Sequence, residues 1–334
     1  MKTKAHFTRI MISLVSFITL TACSGDESTT QPGPARIAVD FTNNRAYVAN
    51  YKANNVSVVD TTNNTVLTTI HVGNKPVGVG LLPAISKAFV ANYKSGTVSV
   101  IDTTTNTVIA TIVVGTGPFG VGVHPSINRI YVANFTDNTV SVIDAVNNLV
   151  IASVLCFAHP LGIGVFPGIN RVYCVVKDSN AIGVINTDNN TIVDSTPVGS
   201  SPNEIDIDPG LNRAYVTNNG LVIGGNQANP GTTVSVIDAI TNNVVATITV
   251  GTAPDGVDVH TGSNKTYVAN SRINTVSVID NTNNTVMATI LVGSGPAGVA
   301  VDSTNNRAYV TNFDDNTVSV IDITNDTVIA MIKI

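Results

Sequence analysis

Residues 254–295 read PDGVDVHTGSNKTYVANSRINTVSVIDNTNNTVMATILVGSG, and this 42-residue pattern decides the fold. Runs rich in Val, Ile and Thr alternate with turn residues, a pattern typical of four short β-strands. The pattern begins at a proline and occurs seven times, with spacings of 42 residues and one of 52. The seven prolines are Pro34, Pro76, Pro118, Pro160, Pro202, Pro254 and Pro296. The chain is therefore predicted to contain seven copies of one four-stranded antiparallel unit.

A four-stranded unit that is apolar on both faces cannot be stable alone, but units stacked radially bury both faces on their neighbours. We predict an all-β fold, a seven-bladed β-propeller of four-stranded antiparallel blades, which seven equal units fit better than an open sandwich. The predicted blades span residues 34–75, 76–117, 118–159, 160–201, 202–253, 254–295 and 296–334. The repeat begins at a first strand and ends in a fourth, so side-chain packing between blades 1 and 7 is expected to close the ring.

One run of the repeat resembles that of a known family. The runs are Tyr47-Val48-Ala49-Asn50, Tyr131-Val132-Ala133-Asn134, Tyr215-Val216-Thr217-Asn218, Tyr267-Val268-Ala269-Asn270 and Tyr309-Val310-Thr311-Asn312. With the Val-Ser-Val-Ile-Asp that follows most of them, they resemble the YVTN-family β-propeller repeat over residues 34–334. The resemblance implies a bacterial or archaeal surface-layer or envelope protein, with distant propeller relatives that include lactonases and haem-binding domains.

The composition excludes some functions. Charged residues are 12% of the chain and hydrophobic residues 43%, so extensive disorder is excluded. The net charge is −5, and the basic residues are scattered singly, so we expect no nucleic-acid partner. We expect a monomer.

The amino terminus has the features of an export signal. Basic residues precede an apolar run over residues 10–20, which is too short to span a bilayer. Leu20-Thr21-Ala22-Cys23 resembles a bacterial lipobox, which implies a lipoprotein signal peptide at 1–22 and acylation of Cys23. Residues 23–33 are predicted to be a flexible tether. We expect an exported protein, lipid-anchored in the cell envelope at the outer membrane.

Blades 5 and 6 carry charged residues at first-strand positions where most other blades have Gly or Ala. Val and Ile alternate along each first strand and are expected to face the core, so the other set is predicted to face the channel. The candidate ligand-binding residues are Asn203, Glu204, Asp206, Asp255, Asp258 and His260, with Arg36 at the matching position of blade 1. A ten-residue insertion within residues 219–233 is predicted to be a long loop beside them.

Three functional classes follow from these residues. The first is a non-catalytic ligand- or protein-binding scaffold, whose partner is an envelope protein or a small polar ligand. In it Glu204, Asp206, Asp255 and Asp258 could supply oxygen ligands to Ca²⁺ or contact a cationic group. The second is a lactonase-like or lyase-type enzyme using channel carboxylates and a histidine. The third is a passive cell-surface structural protein, and no catalytic residue is assigned.

Two further residue pairs are open to interpretation. His124 and His260 occupy equivalent first-strand positions and are expected to be solvated channel residues. Cys156 and Cys174 could form a disulfide, although two buried thiols are favoured because the cysteines are not on neighbouring strands of one blade. No C-x-x-C-H haem motif, paired C-x-x-C zinc motif, P-loop or G-x-S-x-G motif is present.

Overall fold

A computed structural model describes residues 33–223 and 226–334 of the chain. The predicted leader, Cys23 and residues 23–32 of the predicted tether lie outside the described residues. The helices in the described part are single 3₁₀ turns, and none is long and apolar enough to cross a membrane. They span Pro83–Ile85, Pro125–Ile127, Pro167–Ile169 and Thr261–Ser263.

The strands form seven separate four-stranded antiparallel sheets, each in the order first, second, third and fourth strand, which confirms the predicted propeller. Blade 1 contains β1 (Pro34–Asp40), β2 (Arg45–Asn50), β3 (Asn55–Asp60) and β4 (Thr65–His71). Blade 2 contains β5 (Pro76–Leu82), β6 (Lys87–Asn92), β7 (Thr97–Asp102) and β8 (Thr107–Val113). Blade 3 contains β9 (Pro118–His124), β10 (Arg129–Asn134), β11 (Thr139–Asp144) and β12 (Leu149–Leu155). Blade 4 contains β13 (Pro160–Phe166), β14 (Arg171–Val176), β15 (Ala181–Asn186) and β16 (Thr191–Pro197).

The last three blades follow the same order, and each begins at a proline of the repeat. Blade 5 contains β17 (Pro202–Asp208), β18 (Arg213–Ile223), β19 (Asn226–Asp238) and β20 (Asn243–Thr249). Blade 6 contains β21 (Pro254–His260), β22 (Lys265–Asn270), β23 (Thr275–Asp280) and β24 (Thr285–Leu291). Blade 7 contains β25 (Pro296–Asp302), β26 (Arg307–Asn312), β27 (Thr317–Asp322) and β28 (Thr327–Lys333).

Asparagines end most of the turns within blades. Asn64, Asn148, Asn190, Asn242 and Asn284 all have φ between 56° and 60°, the left-handed region that asparagine tolerates better than most residues. The Asn-rich links between third and fourth strands are therefore the turns that the sequence predicts. Each aspartate that ends a third strand adds a local bond, as where Asp102 Oδ1 accepts the Thr104 N–H at 2.7 Å.

The hydrophobic core lies between blades. Each of the seven large buried clusters joins strands of two neighbouring blades, as where Tyr47 and Val58 of blade 1 pack with Val90 and Ile101 of blade 2. The tyrosine of each YVAN-like run is fully buried. Because both faces of a blade are covered in this way, a low share of charged residues suffices.

Some of the small first-strand residues line the axial channel, as predicted, but the set also lies against the neighbouring blade. A Cβ on Gly80 would lie 2.7 Å from Val121 and 2.8 Å from Val123, on the next blade. The small residues therefore lie against the first strand of the following blade along the channel wall, where adjacent first strands in most blades leave no room for a larger side chain. Val79 packs in the opposite direction, on the cluster shared with blade 1.

Blades 1 and 7 close the ring without exchanging a strand, as the sequence predicts. Ile37 and Val48 pack with Tyr309 and Val320 in one buried cluster. The seam also contains polar contacts that the sequence reasoning did not foresee, since the Thr311 hydroxyl donates to the Ala35 carbonyl at 3.0 Å and Arg307 donates to the Thr61 carbonyl at 2.6 Å. Closure therefore rests on packing and hydrogen bonds together.

The insertion of blade 5 extends the hairpin of β18 and β19 instead of forming the predicted loop. Pairing continues past the usual end of the hairpin, through Gly220 with Pro230 and Leu221 with Asn229. Its base does lie beside the first strand of blade 6, because Asn219 Nδ2 donates to the Pro254 carbonyl at 3.1 Å.

Candidate functional site

The site residues are positioned by a bulge at the start of the first strand. In blade 5 the pairing moves from Pro202 with Asn218 to Ile205 with Val216, so two residues face one on the partner strand. A bulge of this kind redirects the side chains within it. Asn203 and Glu204 lie in this bulge, and Asp255 lies in the matching bulge of blade 6.

Arg36 links four blades at the axis. From blade 1 its Nη2 donates to Asp255 Oδ1 of blade 6 at 2.8 Å, and its Nη1 donates to the Ala297 carbonyl of blade 7 at 2.9 Å. Its Nε lies 3.2 Å from Glu204 Oε2 of blade 5, without the alignment of a hydrogen bond. Asn203 Nδ2 also donates to Asp255 Oδ1. Three of the candidate residues from the sequence, Arg36, Glu204 and Asp255, thus form one charged network.

Burial determines the electrostatics of this network. The side chains of Arg36, Glu204 and Asp255 are 11%, 17% and 9% exposed. Burial alone would lower the pKa of Arg36, but Asp255 and Glu204 raise it on balance, so the guanidinium stays charged. Burial raises the pKa of Glu204, and Arg36 opposes that rise. Removing Arg36 would leave two carboxylates in a poorly solvated place.

Asp206 and Asp258 form a second pair, on the first strands of blades 5 and 6. Asp206 Oδ2 and Asp258 Oδ1 both accept the Val259 N–H, at 2.8 and 2.9 Å. Asp258 Oδ2 accepts the Val301 N–H of blade 7 at 2.6 Å. The two aspartates therefore bond N–H groups on the inner edges of the neighbouring blades, which the small residues of other blades cannot do.

The two aspartates hold a proton more readily than ordinary carboxyl groups. Burial and the neighbouring Asp258 raise the pKa of Asp206 well above its usual range, and burial also raises the pKa of Asp258. Two close carboxyl groups out of bulk water favour one shared proton, because charging both brings like charges together.

These groups surround a cavity of about 260 Å³ at the inner ends of the blades. Arg36, Glu204, Asp206 and Asp258 line it, with glycine and valine from most blades forming the remaining wall. Asn203 and Asp255 do not line it; Asp255 accepts a hydrogen bond from Arg36, and Asn203 donates to the same oxygen of Asp255. Three of the charged groups that line the cavity are carboxyl groups and one is a guanidinium, so acidic groups outnumber basic ones in its lining.

The structure separates His260 from this cavity. His260 is 4% exposed and its Nδ1 accepts the Ser263 N–H at 2.9 Å, near the far end of β21. His124 is 2% exposed, and neither ring nitrogen has a hydrogen-bond partner. The prediction that the two histidines are solvated channel residues is wrong, because the blades bury both. Burial and Arg129 lower the pKa of His124, which favours the neutral ring.

The four candidate calcium ligands do not converge on a point. Among residues 33–223 and 226–334, no group of three His, Cys, Asp or Glu side chains is placed to hold a metal ion. Glu204 and Asp255 pair with Arg36, while Asp206 and Asp258 accept backbone N–H groups. This arrangement favours an organic polar ligand over a bare Ca²⁺ ion, which needs six to eight oxygen ligands.

Sequence reasoning missed two residues of the site. Thr217 faces the bulge, where its hydroxyl accepts the Glu204 N–H at 3.0 Å and donates to the Asp255 carbonyl at 2.7 Å. The signal was present, because blades 5 and 7 have Thr where the YVAN runs have Ala. Phe119 lies against Arg36, 5.9 Å from its guanidinium carbon to the ring centroid. The sequence does not mark Phe119 as a site residue, since an aromatic residue at that position also fits a role in the core.

The comparisons with known proteins support the fold. No family model matches the chain, and no curated protein matches it in sequence. Among solved structures, the chain is similar to Kuenenia stuttgartiensis hydrazine synthase, with 20% identity and a TM-score of 0.77. The similarity covers 88% of this chain and 96% of that chain. At this identity the likeness shows a shared propeller fold and nothing about activity.

Proposed function

We propose that this propeller is a non-catalytic binding protein that takes a small polar ligand in the axial cavity. The observation that carries the proposal is a local departure from the repeat. At the position of Glu204 the other blades have glycine, apart from Arg36 in blade 1, and at that of Asp206 they have glycine or alanine, apart from Asp258. All four exceptions line one cavity.

Burying charged groups costs free energy that glycine would avoid, so a ring selected only for stability has no need of them. The excess negative charge favours a ligand with a cationic or hydrogen-bond-donating group. The volume, about 260 Å³, suits a small metabolite. We further propose that the protein is held in the cell envelope by a lipid on Cys23, as the leader sequence suggests.

The test uses substitutions that the repeat itself provides. Thermal shift and calorimetry would screen choline, putrescine, glucose and CaCl₂ against the wild type and against E204G and D206G. Both variants install the glycine found at the same position in other blades, so the ring is expected to fold. We expect at least one organic probe to raise the melting temperature of the wild type and to lose its effect in both variants.

Asp238→Asn is the matched control. Asp238 ends β19 of the same blade, away from the cavity, and blade 4 naturally has Asn186 at that position. The control should bind as the wild type does. A probe that shifts all four proteins equally would contradict binding in the cavity, and a response to CaCl₂ alone would favour a metal site instead.

A further inference from the structure

The contact between blades 3 and 4 differs from the other contacts in the ring. Elsewhere the asparagine that ends a second strand donates to a serine on the third strand, as where Asn134 Nδ2 bonds Ser141 Oγ at 2.8 Å. A glycine lies against that asparagine, because a Cβ on Gly115 would lie 2.6 Å from Asn134 Cγ. The same donor bond occurs at Asn50, Asn92, Asn218, Asn270 and Asn312.

Blade 4 replaces this polar set with an apolar one. Val176 stands in place of the asparagine, Gly183 in place of the serine and Phe157 in place of the glycine. The three changes fit together, since a Cβ on Gly183 would lie 3.5 Å from the Phe157 ring. Blade 4 therefore lacks the asparagine-to-serine bond between its second and third strands that each of the other six blades has.

The two cysteines replace valines in the same seam. At the position of Cys174 the other six blades have valine, and at that of Cys156 they have valine or, in blade 7, Ile334. Cys156 follows β12 of blade 3 and Cys174 lies on β14 of blade 4, and both belong to the buried cluster that joins the two blades. Their Sγ atoms lie 3.3 Å apart. The two sulfurs thus meet although the cysteines are not on neighbouring strands of one blade. Both are free, buried thiols in this structure, which is the alternative that the sequence favours.

We propose that Cys156 and Cys174 are a redox-active pair that closes to a disulfide and joins blades 3 and 4 covalently. Two thiols at this distance need to approach by roughly 1.3 Å to reach the bond length of about 2.05 Å. The disulfide would cross the seam at which blade 4 carries this apolar set, and both cysteines belong to the buried cluster of that seam.

The oxidant is a small-molecule or protein disulfide. The Cys156 thiolate attacks one sulfur of that disulfide, which forms a mixed disulfide and releases one thiolate. Cys174 then loses its proton and attacks Cys156 Sγ, which releases the second thiolate. Two protein thiols are oxidised and one external disulfide is reduced to two thiols, so atoms and electrons balance.

The environments of the two sulfurs favour this order. Hydrogen bonding to Cys174 lowers the pKa of Cys156, whereas burial raises the pKa of Cys174 well above its ordinary value. Cys156 is 7% exposed and is flanked by the exposed residues Leu155 and Phe157, while Cys174 is fully buried. Cys156 is therefore the attacking sulfur and Cys174 the resolving one.

The experiment uses the full chain with Cys23→Ser, which leaves Cys156 and Cys174 as its two cysteines. The protein is refolded in buffer containing oxidised and reduced glutathione. It is then denatured in the presence of N-ethylmaleimide, which alkylates free thiols, and its mass is measured by mass spectrometry. We expect the refolded protein to carry no alkyl group and to have a mass two hydrogens below that of the reduced protein. After reduction with dithiothreitol, we expect two alkylated thiols. We expect the oxidised form to melt about 5 °C higher than the reduced form.

The control adds Cys156→Val and Cys174→Val to the same chain, which installs the valines of the other blades. This variant should fold and should melt at one temperature with or without dithiothreitol. Two alkylated thiols after refolding in the glutathione buffer would overturn the proposal. So would a persistent glutathione adduct, or an oxidised form that melts no higher than the reduced one.

Discussion

Arg36 is the residue on which the axial network depends. It forms ion pairs with both Glu204 and Asp255, and it contacts blades 5, 6 and 7 from blade 1. A buried charge left without its partner is more destabilising than the loss of the whole pair, because the remaining charge is neither solvated nor neutralised.

We expect Arg36→Gly to lower the free energy of unfolding by about 3 kcal/mol, since Glu204 and Asp255 lose their counterion. The double variant R36G/E204G should lose less than R36G alone, because one stranded carboxylate is removed with the arginine. Denaturant unfolding of the wild type, both single variants and the double variant completes the cycle. Strictly additive losses would show that Arg36 and Glu204 do not interact.

The aspartate pair predicts a pH dependence. The pKa of Asp206 is raised in the folded state, so the folded protein binds more protons than the unfolded chain above the ordinary aspartate pKa of 3.8. Wild-type stability therefore falls as the pH rises from about 4 towards the raised pKa. Asp206→Asn imitates the protonated form and can still accept the Val259 N–H.

We expect D206N to gain stability relative to the wild type between pH 4 and pH 7, by the order of 1 kcal/mol. Melting curves at both pH values measure this difference. Asp238→Asn, at the end of β19 in the same blade, serves as the control and should show no such gain. A D206N protein that falls behind the wild type as the pH rises would contradict the shared proton.

Among the elements, the long hairpin of blade 5 is the one departure from the repeat length. Residues 219–232 stand where blade 6 has the four residues Ser-Arg-Ile-Asn at 271–274. Blade 6 packs in clusters of the same kind with only four residues at this place, so a blade of the ring does not require an insertion there. The base of the blade 5 hairpin is held to blade 6 by the bond from Asn219 to Pro254.

Replacing residues 219–232 with Ser-Arg-Ile-Asn should therefore change the melting temperature by less than about 3 °C. If the hairpin shields the axial cavity, the variant should also bind any probe found in the screen more weakly. Circular dichroism, melting and calorimetry test the two parts separately. A shortened protein that fails to fold would show that the hairpin stabilises the ring.

The elements also show what a sequence can predict. The strands and turns were predictable because each blade repeats the same alternation and the same asparagines in left-handed turns. The direction in which the Asp206 side chain points could not be predicted, because it depends on how closely two neighbouring first strands approach each other. Nor could the contact between Cys156 and Cys174, since a repeat fixes positions within a blade but not the distances across a seam.

For the whole molecule, the ring closes between two complete blades. Gly33 N donates to Asn316 Oδ1 at 2.8 Å, and Ile334 N donates to the Asn316 carbonyl at 3.0 Å. The first described residue and the last residue thus meet at one asparagine of blade 7. The packing of the ring should therefore depend little on which two blades carry the chain ends.

A circular permutant that joins residue 334 to residue 33 through a short Gly-Ser linker, with new ends between Thr116 and Gly117, should fold. We expect its melting temperature to lie within about 5 °C of that of the unpermuted body, since every blade stays intact. A permutant that is soluble but melts without cooperativity would show that the seam between blades 1 and 7 is special.

The position of β1 has a mechanical consequence. β1 is the innermost strand of blade 1 and pairs with β2 along one edge only. If the protein is tethered through Cys23, the tether joins the ring at the start of β1, and a pull directed along β1 would load that strand first. The backbone bonds to β2 then resist in shear, all at once, instead of being peeled apart one after another. With such an attachment, force from the envelope would not separate the outer strands of the blade one hydrogen bond at a time.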